Sequence, residues 1–403
     1  MANIIAQGYN STITKVSSTQ VRKKVDINEN REIPNIIELE ILHKYCHPYL
    51  VPGYGCSLKN QSLEMVIPYA DHQDLAALTE LPVSETELLT FFYQTALGLA
   101  CLHHAGILHL DIKPDNILIF RQGDEMFARL GDYGLAMYEP IELSTQRIGG
   151  SVCYLAPEVL YDLMENKRMQ SEGLGEKHIN LSKDIDIWAL GFSFFLIFSK
   201  LYDFCEDGKR NLLPVRKLYN KIKYYFHQDR KDAFIGSVIA NQQIRDLVSR
   251  ILIVDRVRIS IDEIVHSLEV ILNKSPYPIV FLDNTQQQEC PPEFQQSLTT
   301  YLDRLKTIPN IEVWKLVFHN KTSIYLSRLI TLSQKHPYLP LVCLYMIISS
   351  YGFSITVPEY IEEIGEKISP HKFVEELGFI IENMYGSPKI LTRKLSEKLF
   401  MYR

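Results

Sequence analysis

The segment HLDIKPDNILI at residues 109–119 carries three polar residues whose types and spacing could do chemistry. Asp111 can accept a proton, Lys113 can neutralise a negatively charged group, and Asn116 offers an amide oxygen of the kind that binds Mg²⁺. A second carboxylate, Asp132, follows in the short segment DYG. Such a set is suited to proton transfer beside an anionic group that is bound to a metal ion.

Three later segments follow these residues in a fixed order. GSVCYLAPE spans residues 150–158, DIWALG spans 186–191 and RIS spans 258–260. Together with the segment around Asp111 and with DYG, they resemble the ordered motifs of the eukaryotic protein-kinase family, whose catalytic loop reads H-R-D-x-K-x-x-N. The resemblance covers residues 1–272. It implies an α+β, bilobal protein-kinase fold with a small β-rich N-lobe and a larger helical C-lobe.

The resemblance gives each polar residue a role. Phosphoryl transfer depends mainly on positioning and on neutralising the charge of the phosphates. Asp111 would orient or accept the proton of the incoming hydroxyl, and Lys113 would stabilise the transferring phosphate. Asn116 and Asp132 would bind Mg²⁺, so that ATP and Mg²⁺ are the implied cofactors. The lysine at position 113 resembles serine/threonine kinases rather than tyrosine kinases.

The segment that ends in Ala156, Pro157 and Glu158 indicates the class of substrate. Kinases of small molecules share a similar catalytic loop, but they generally lack this segment and the Gly150-Ser151 stretch before it. The stretch resembles the substrate-docking loop of protein kinases. The sequence therefore favours a protein as the phosphate acceptor.

The glycine-rich loop departs from the family pattern. Where the family has G-x-G-x-x-G, this chain has Ala6, Gly8 and Ser11, followed by Ile13. Glycine permits a positive φ and a close approach of the backbone to phosphate, and only the middle glycine is kept. The loss favours the alternative of a pseudokinase, an ATP-binding scaffold that acts through protein binding. The retained catalytic and metal-binding residues favour an active enzyme.

Leu110 replaces the arginine that, in much of the family, contacts a phosphorylated activation loop. That arginine would form about one to three charge-assisted hydrogen bonds with the phosphate, whereas leucine can form none. The roles assigned to the neighbouring polar residues do not depend on it. We predict that activity does not require phosphorylation at Ser144, Thr145 or Ser151.

The elements that must position these residues can be predicted from hydrophobic periodicity. ITKV at 13–16 and QVRKKV at 20–25 flank a Ser-Ser-Thr turn, which is typical of a β-hairpin. Residues 35–46 have helical spacing of apolar side chains, and His47-Pro48 should stop that helix.

This helix carries Glu38, the expected ion-pair partner of the ATP-binding lysine, which is either Lys23 or Lys24. Alternate side chains of a strand share a face. Val21 shares the face of Lys23, and Arg22 shares that of Lys24. The residue two positions before the lysine should contact adenine, and an apolar side chain suits that contact. The pattern favours Lys23.

A strand over residues 63–69 leads into the expected hinge. Ile67 would be the gatekeeper, Pro68 would offer its carbonyl to adenine, and Ala70 would offer a second pair of backbone groups. Asp74 either contacts the ribose or the substrate, or caps the next helix. The other positions assigned to nucleotide binding are Gly8, Ile13, Val21 and Leu118.

The second half of the resemblance is mainly helical. A helix over residues 86–104 precedes the catalytic segment, and the apolar run at 187–198 is too short to span a bilayer and should be a buried helix. The polar insert at 165–182 is predicted to be an exposed loop. A structural role is expected for three histidines rather than metal binding: His103, His104 and His109.

Composition limits the partners. A net charge of −6 and a pI near 6.1 argue against binding to nucleic acid. Seven scattered cysteines without a C-x-x-C pair suggest reduced thiols rather than a disulfide framework or a zinc site. The first residues do not have the pattern of a signal peptide. We therefore expect an intracellular location, in the cytoplasm or the nucleus, without a nucleic-acid or membrane partner.

The rest of the chain is predicted to be a separate helical region. The expected domains are an N-lobe at 1–69, a C-lobe at 70–272, a linker at 273–292 and an all-α region at 293–403. The expected helices there lie at 340–351, at 357–365 and after Ser369-Pro370. Their arrangement resembles the middle of a cyclin box, and the alternative is an unspecialised helical extension. Regulation would come from this region or from a regulatory protein.

Overall fold

The computed structural model divides the chain into two compact units. One consists of Met1–Cys46, Pro52–Tyr69 and Phe281–Arg403, and the other of His47–Val51 and Ala70–Val280. The residues that the structure describes are 4–7, 11–26, 36–45, 47–59, 62–71, 74–78, 82–139, 141–144, 149–175, 178–207, 209, 211–254, 258–277, 341–342, 344–345 and 357–385.

The first unit contains a five-stranded antiparallel sheet in the order β1-β2-β3-β5-β4. Its strands are β1 (Ile4–Gln7), β2 (Ser11–Lys15), β3 (Gln20–Asp26), β4 (Gly55–Lys59) and β5 (Ser62–Pro68). The predicted hairpin is confirmed, because β2 pairs with β3 and places Ile13 opposite Lys23. Helix α1 (Ile36–Lys44) follows the hairpin, close to the predicted bounds.

Helix α1 is buried around its whole circumference. Every side chain from Ile37 to His43 is buried, including Glu38 and Glu40. A helix that is buried on all sides must be covered by more than the single sheet face that an amphipathic helix needs.

The C-terminal helices belong to the same unit. They are α10 (Val357–Ile364) and α11 (Pro370–Tyr385), and both lie where the sequence predicts. The hydroxyl Oγ of Ser369 accepts a hydrogen bond from the backbone N–H of Lys372 at 3.2 Å, so that Ser369 caps α11. Helix α11 packs against β4, the edge strand of the sheet. The resemblance to a cyclin box stays a prediction.

The second unit is mostly helical. Its helices are α2 (Leu75–Leu78), α3 (Glu85–His104), α4 (Pro157–Ser171), α5 (Lys183–Ser199), α6 (Val215–Tyr225), α7 (Lys231–Val238), α8 (Gln242–Ile251) and α9 (Ile261–Leu272). The hydrophobic run in α5 is buried from Ile185 to Ile197, as the sequence predicts. Ser84 and Glu87 form a capping box that starts α3.

Short strands of this unit flank the segment around Asp111 and the DYG segment. They are β6 (Ile107–Leu108), β7 (Ile117–Gln122), β8 (Glu125–Leu130), β9 (Met137–Tyr138), β10 (Ile141–Ser144) and β11 (His178–Leu181). The hairpin of β7 and β8, and the pairing of β6 with β9, fix the two ends of the segment around Asp111 and the start of DYG.

The prediction of an exposed loop at 165–182 is wrong at both of its ends. Helix α4 continues to Ser171, where Arg168 forms ion pairs with Glu165 and Glu172. Strand β11 pairs with β10, which lies more than thirty residues earlier. The polar composition suggested a loop. Ion pairs between successive turns, however, favour a helix at the first end. At the second end, a polar segment forms a strand because it pairs with a strand that is distant in sequence.

Within the described part of the chain, none of the helices combines the length and the apolar character that crossing a membrane requires. The division into domains at residues 69, 272 and 292 stays a prediction.

Candidate active site

The carboxylate of Asp111 is the centre of a hydrogen-bonded cluster. Its Oδ2 accepts from Nζ of Lys113 at 2.8 Å and from Nδ2 of Asn116 at 2.9 Å. Its Oδ1 accepts from the backbone N–H of Ser151 at 3.1 Å. The backbone N–H of Asp111 points to Nδ1 of His109 at 3.3 Å. The side chains of the three residues predicted to be catalytic are therefore joined through the carboxylate of Asp111.

Asn116 is oriented by two donated hydrogen bonds. Its Nδ2 also donates to the backbone carbonyl of Asp111 at 2.7 Å, and the side chain is buried. Since the amide nitrogen is used twice, the amide oxygen Oδ1 is left to act as an acceptor or a metal ligand. The carbonyl of Asn116 accepts from the N–H of Gly131 at 2.9 Å, which connects this residue to the DYG segment.

Asp132, the predicted second metal ligand, is exposed and has a left-handed backbone with φ of 56°. Such a φ is uncommon for residues other than glycine and costs conformational energy. The next residue fixes this turn. Tyr133 is buried, and its hydroxyl donates to the carbonyls of Leu130 at 2.7 Å and Val51 at 3.2 Å.

Asp186 of α5 holds the start of the catalytic segment. Its buried carboxylate accepts from the backbone N–H of His109 at 2.7 Å and of Leu110 at 2.8 Å. Nε2 of His103 lies 3.0 Å from the same group. Burial by itself would raise the pKa of Asp186, but the hydrogen bonds and the charges of His103 and His109 hold the pKa below its usual value.

The three histidines have structural contacts, as expected. His103 contacts Asp186, and Nε2 of His109 lies 3.0 Å from the backbone carbonyl of Gly131. His104 pairs with Asp262 near the protein surface.

Leu110 has a left-handed backbone with φ of 64°. Its backbone N–H is held by Asp186, and its side chain is half-buried. A hydrogen bond of the backbone thus stabilises the strained conformation, and this bond does not depend on which side chain residue 110 carries.

Arg258, the first residue of the RIS segment, forms a bidentate ion pair with Glu158, the last residue of the 150–158 segment. Nη1 and Nη2 of Arg258 lie 2.6 Å and 2.8 Å from the two carboxylate oxygens of Glu158. Nη1 also donates to the carbonyl of Asp184 at 3.1 Å, and the guanidinium lies over the ring of Trp188. This pair ties the end of the 150–158 segment to α5.

In the first unit, the structure pairs Lys23 with Glu38. Nζ of Lys23 lies 2.7 Å from Oε1 of Glu38, and both side chains are largely buried. Lys24 instead forms an exposed pair with Asp26 at 3.3 Å. Lys23, which the alternation of side chains along β3 favoured, is therefore the lysine that contacts α1.

The apolar positions of the first unit cluster on the same strands. Val21 is buried and pairs with Ile67 of β5. Ile13 is half-buried opposite Lys23, and Pro68 is buried at the end of β5. Gly8 lies outside the described residues.

The remaining nucleotide-binding candidates belong to the second unit. Ala70 is buried and Leu118 is half-buried on β7, where it forms a β-bridge with Asp74. Oδ1 of Asp74 accepts from the N–H of Ala77 at 2.8 Å, so Asp74 caps α2. Burial, and then the nearby charge of Asp115, raise the pKa of Asp74 despite this hydrogen bond. The capping alternative is thus observed, and a contact with ribose or substrate stays a prediction.

The donor set near Asp111 suits Mg²⁺ better than a metal that prefers nitrogen or sulfur. Asn116 and Asp132 offer one amide oxygen and one carboxylate, and the described residues contain no cluster of three His, Cys, Asp or Glu side chains that could hold a metal. Mg²⁺ typically takes one or two protein carboxylates and keeps waters and phosphate oxygens as its other ligands.

Two contacts of the 150–158 segment were missed from the sequence. Oγ of Ser151 lies 2.9 Å from Nζ of Lys113, so this serine is part of the cluster around Asp111. Cys153 forms a disulfide with Cys205, and the expectation of reduced thiols is wrong for this pair. The two cysteines are separated by 52 positions, and only the fold brings them together. The Gly150-Ser151 stretch could have indicated the contact of Ser151 with Lys113. No local signal in the sequence indicates the disulfide.

Comparisons with known proteins agree with this arrangement. A family model described as protein kinase domain matches residues 4–268. The chain is 28% identical over 234 residues to the ovarian-specific serine/threonine-protein kinase Lok of Drosophila melanogaster, covering 57% of this chain and 44% of that protein. It is 31% identical over 181 residues to the serine/threonine-protein kinase Nek5 of Mus musculus, covering 43% and 26%. The chain thus spans less than half the length of these relatives.

A solved structure shares the fold. The crystal structure of the yeast RNA Pol II CTD kinase CTDK-1 complex contains a chain that matches with a TM-score of 0.51 and 21% identity, over 69% of this chain and 94% of that one. The predicted fold class, a β-rich part followed by a helical part, is confirmed.

Proposed function

Because this chain belongs to the protein kinase family, we propose that it is an active serine/threonine kinase that transfers the γ-phosphate of ATP to a hydroxyl of a protein. The observation that carries the proposal is the cluster in which the Asp111 carboxylate contacts Lys113, Asn116 and the Ser151 backbone. A carboxylate oriented by three donors has a fixed position, and positioning is most of what phosphoryl transfer requires from a protein.

Each residue of the cluster has one task in this reaction. Asp111 orients the acceptor hydroxyl and receives its proton. Lys113 neutralises charge that develops on the transferring phosphate. Asn116 and Asp132 would hold Mg²⁺, which on binding neutralises the charge of the ATP phosphates. In the first unit, Lys23 would contact the ATP phosphates while Glu38 fixes its ammonium group.

A protein substrate is supported by the structure of the 150–158 segment. Ser151 joins its first residues to Asp111 and Lys113, and the Arg258–Glu158 pair fixes its end. A segment that is bound at both ends beside the catalytic carboxylate can serve as a rigid platform for an extended peptide. Small-molecule substrates would not need such a platform.

We also propose that activity does not depend on phosphorylation of the activation segment. Leu110 has no group that could donate a hydrogen bond to a phosphate. Ser151 already contacts Lys113 and Asp111, and a phosphate there would introduce negative charge beside the Asp111 carboxylate. The side chains of Ser144 and Thr145 lie outside the described part of the structure.

The pseudokinase alternative lacks support. A binding-only module would not require Asp111, Lys113 and Asn116 to be held together by direct hydrogen bonds. The two relatives described above, Lok and Nek5, are named as serine/threonine-protein kinases.

The test is phosphate transfer from labelled ATP, in the presence of Mg²⁺, to generic protein substrates by the wild type, Asp111→Asn and Asp115→Asn. Asp115 is exposed and lies four residues further along the same loop, so it is a matched control. We expect Asp111→Asn to reduce the rate by about 10²–10⁴-fold, the usual contribution of a positioned acid or base. The control should retain most of the wild-type rate, and the labelled residues should be serine or threonine.

Two outcomes would contradict the proposal. One is nucleotide binding without any transfer that depends on Asp111, which would restore the scaffold hypothesis. The other concerns regulation: a large loss of activity after phosphatase treatment, mapped to Ser144, Thr145 or Ser151, would contradict independence from phosphorylation.

A further inference from the structure

A disulfide lies beside the catalytic cluster, and the phosphoryl-transfer chemistry does not use it. Cys153 is the central residue of a short 3₁₀ turn, Val152–Tyr154, inside the 150–158 segment. Cys205 follows α5, and the Cα atoms of the two cysteines are 5.6 Å apart. This separation lies within the normal range for a disulfide, so that the backbone need not move for the bond to form.

The two cysteines differ in how firmly the protein holds them. Cys205 is buried, and its backbone carbonyl accepts from the N–H of Leu213 at 2.8 Å. The preceding residue, Phe204, packs its ring 5.7 Å from Phe192 and 6.2 Å from Phe226. Cys205 is therefore fixed by the aromatic core of the second unit.

Cys153, in contrast, is half-buried in a three-residue turn, which contacts the aromatic core through the ring of Tyr154, 6.3 Å from that of Phe192. The hydrogen bonds of that turn are those from the N–H of Tyr154 to the carbonyl of Ser151 at 2.8 Å and from the N–H of Leu155 to the carbonyl of Val152 at 3.3 Å. The disulfide therefore attaches a short turn to a rigid anchor.

This attachment reaches the catalytic residues through two peptide units. Ser151 contacts Asp111 and Lys113, and it lies two positions before Cys153. Two residues span at most about 7 Å, so the position of Cys153 restricts the position of Ser151. Fixing Cys153 against Cys205 thus favours the arrangement in which Ser151 contacts the catalytic loop.

We propose that Cys153 and Cys205 form a reversible thiol–disulfide site that controls binding of the protein substrate. The disulfide holds the short turn between the two bound ends of the 150–158 segment in the position that accepts the substrate, and reduction to two thiols allows this turn to move. The inference rests on the proposed function, because the segment is taken to be the docking platform of a protein kinase.

The oxidant is a low-molecular-weight disulfide. The thiolate of Cys153, the more accessible of the two, attacks one sulfur of the reagent and expels the other half as a thiol. The thiolate of Cys205 then attacks the Cys153 sulfur of the mixed disulfide and expels the second half. The cysteine pair loses two electrons and two protons, and the reagent gains them as two thiols. Reduction by a thiol reverses both steps.

The experiment equilibrates the full chain with buffers of different ratios of reduced to oxidised glutathione. Differential alkylation and peptide mapping measure the fraction of the Cys153–Cys205 disulfide, and steady-state kinetics measure KM for a protein substrate and for ATP. We expect reduction to raise KM for the protein by at least about fivefold, the lower end of usual coupling between two sites, and to leave KM for ATP unchanged.

Variants separate this effect from general effects of the buffer. Cys153→Ser and Cys205→Ser should both have the KM of the reduced wild type at every glutathione ratio. Cys101→Ala is the control, since Cys101 is a buried thiol of α3 outside this pair, and it should keep the redox response. A pair that does not oxidise at any ratio, or a KM that is the same in both states, overturns the proposal.

Failure of the proposed function would look different. If no phosphate transfer occurs in either redox state, amide hydrogen exchange at residues 150–156 still tests the switch. Faster exchange after reduction in the wild type, and at all ratios in both serine variants, supports a turn that reduction allows to move. Equal exchange in the two states contradicts it without reference to catalysis.

Discussion

At the scale of single residues, the two adjacent lysines of β3 are a natural pair for comparison. Lys23 contacts buried Glu38, whereas Lys24 contacts exposed Asp26. We expect Lys23→Met to lower kcat by about 10²-fold, the usual cost of removing one preorganised charge from the transition state. Lys24→Met should change the kinetics by less than about twofold, since exposed ion pairs contribute little. Steady-state kinetics with varied ATP measure both effects.

The opposite ranking of the two variants would show that the nucleotide contacts the other face of β3. Circular dichroism of each variant controls for unfolding, because Lys23→Met leaves the carboxylate of Glu38 buried without the ammonium group that contacts it here. A variant that unfolds is replaced by Lys23→Arg, which keeps the charge but changes its geometry.

His47 makes the stability of the second unit depend on pH. The residue is buried in a cluster with the rings of Tyr49 and Tyr277. Burial, followed by the charge of Arg129, lowers the pKa of His47 from 6.5 to about 4. In the unfolded chain the imidazole binds a proton at about pH 6.5, but in the folded protein it does so only near pH 4. The contribution of His47 to stability is thus fully present above pH 6.5 and is lost as the pH falls to about 4.

We expect the free energy of unfolding to fall by about 3 kcal/mol over this pH range on account of His47, since each unit of pKa shift corresponds to about 1.4 kcal/mol. Urea unfolding followed by tryptophan fluorescence at several pH values measures the slope. His47→Gln should flatten it, while His266→Gln, which changes an exposed histidine, should not. An unchanged slope in His47→Gln would contradict the assignment.

At the scale of elements, α5 positions the catalytic segment through Asp186. Its carboxylate accepts hydrogen bonds from the backbone of His109 and Leu110 and holds the left-handed turn at Leu110. We expect Asp186→Asn to reduce the free energy of unfolding by about 3 kcal/mol, because the single oxygen of an amide cannot accept from all of these buried donors. In steady-state kinetics, kcat should fall, and KM for ATP should change by a smaller factor.

Asp184→Asn is the matched control, with the same change two residues earlier in α5. The difference in unfolding free energy between wild type and Asp186→Asn should also depend on pH. Since the pKa of Asp186 is held below its usual value of 3.8, its contribution is present above that pH and is lost as the pH falls further. Equal stability of the two variants at pH 6 would show that Asp186 does not anchor the loop.

Elements with local signals were predictable from the sequence, and elements that need distant partners were not. The β2–β3 hairpin, α1, α3 and the cap of α11 at Ser369 depend on turn chemistry, periodicity and capping within a few residues. Strand β11 forms because β10 is available, and the Cys153–Cys205 bond forms because α5 brings the second cysteine near the 150–158 segment.

The same distinction applies to the candidate site. The family motifs identified Asp111, Lys113 and Asn116, which the structure brings together. They placed Ser151 in the stretch that resembles a docking loop but did not predict its contact with Lys113, which forms only when the chain folds back over 38 positions. The left-handed backbone of Leu110 was equally invisible, since leucine carries no preference for that conformation.

At the scale of the whole molecule, the C-terminal helices cover part of the sheet that carries Lys23. Helix α11 packs on β4, the edge strand, and an uncovered edge is prone to pair with other chains. Phe373 and Leu377 of α11 are buried, and the ring of Phe373 contacts those of Tyr345 and Tyr360. These contacts make the C-terminal region an integral part of the unit that contains α1 and its Glu38.

We therefore expect this region to support activity rather than to inhibit it. Leu377→Asp places a charge at a fully buried position of α11 and should lower the unfolding temperature and raise KM for ATP, because the sheet that carries Lys23 loses its cover. His371→Asp introduces the same residue on an exposed position of the same helix and should leave both quantities close to those of wild type.

A gain of activity in Leu377→Asp, or in a chain that ends at residue 285, would indicate an inhibitory region instead. Full activity and unchanged stability in the shortened chain would show that the helices have no regulatory part in the kinase.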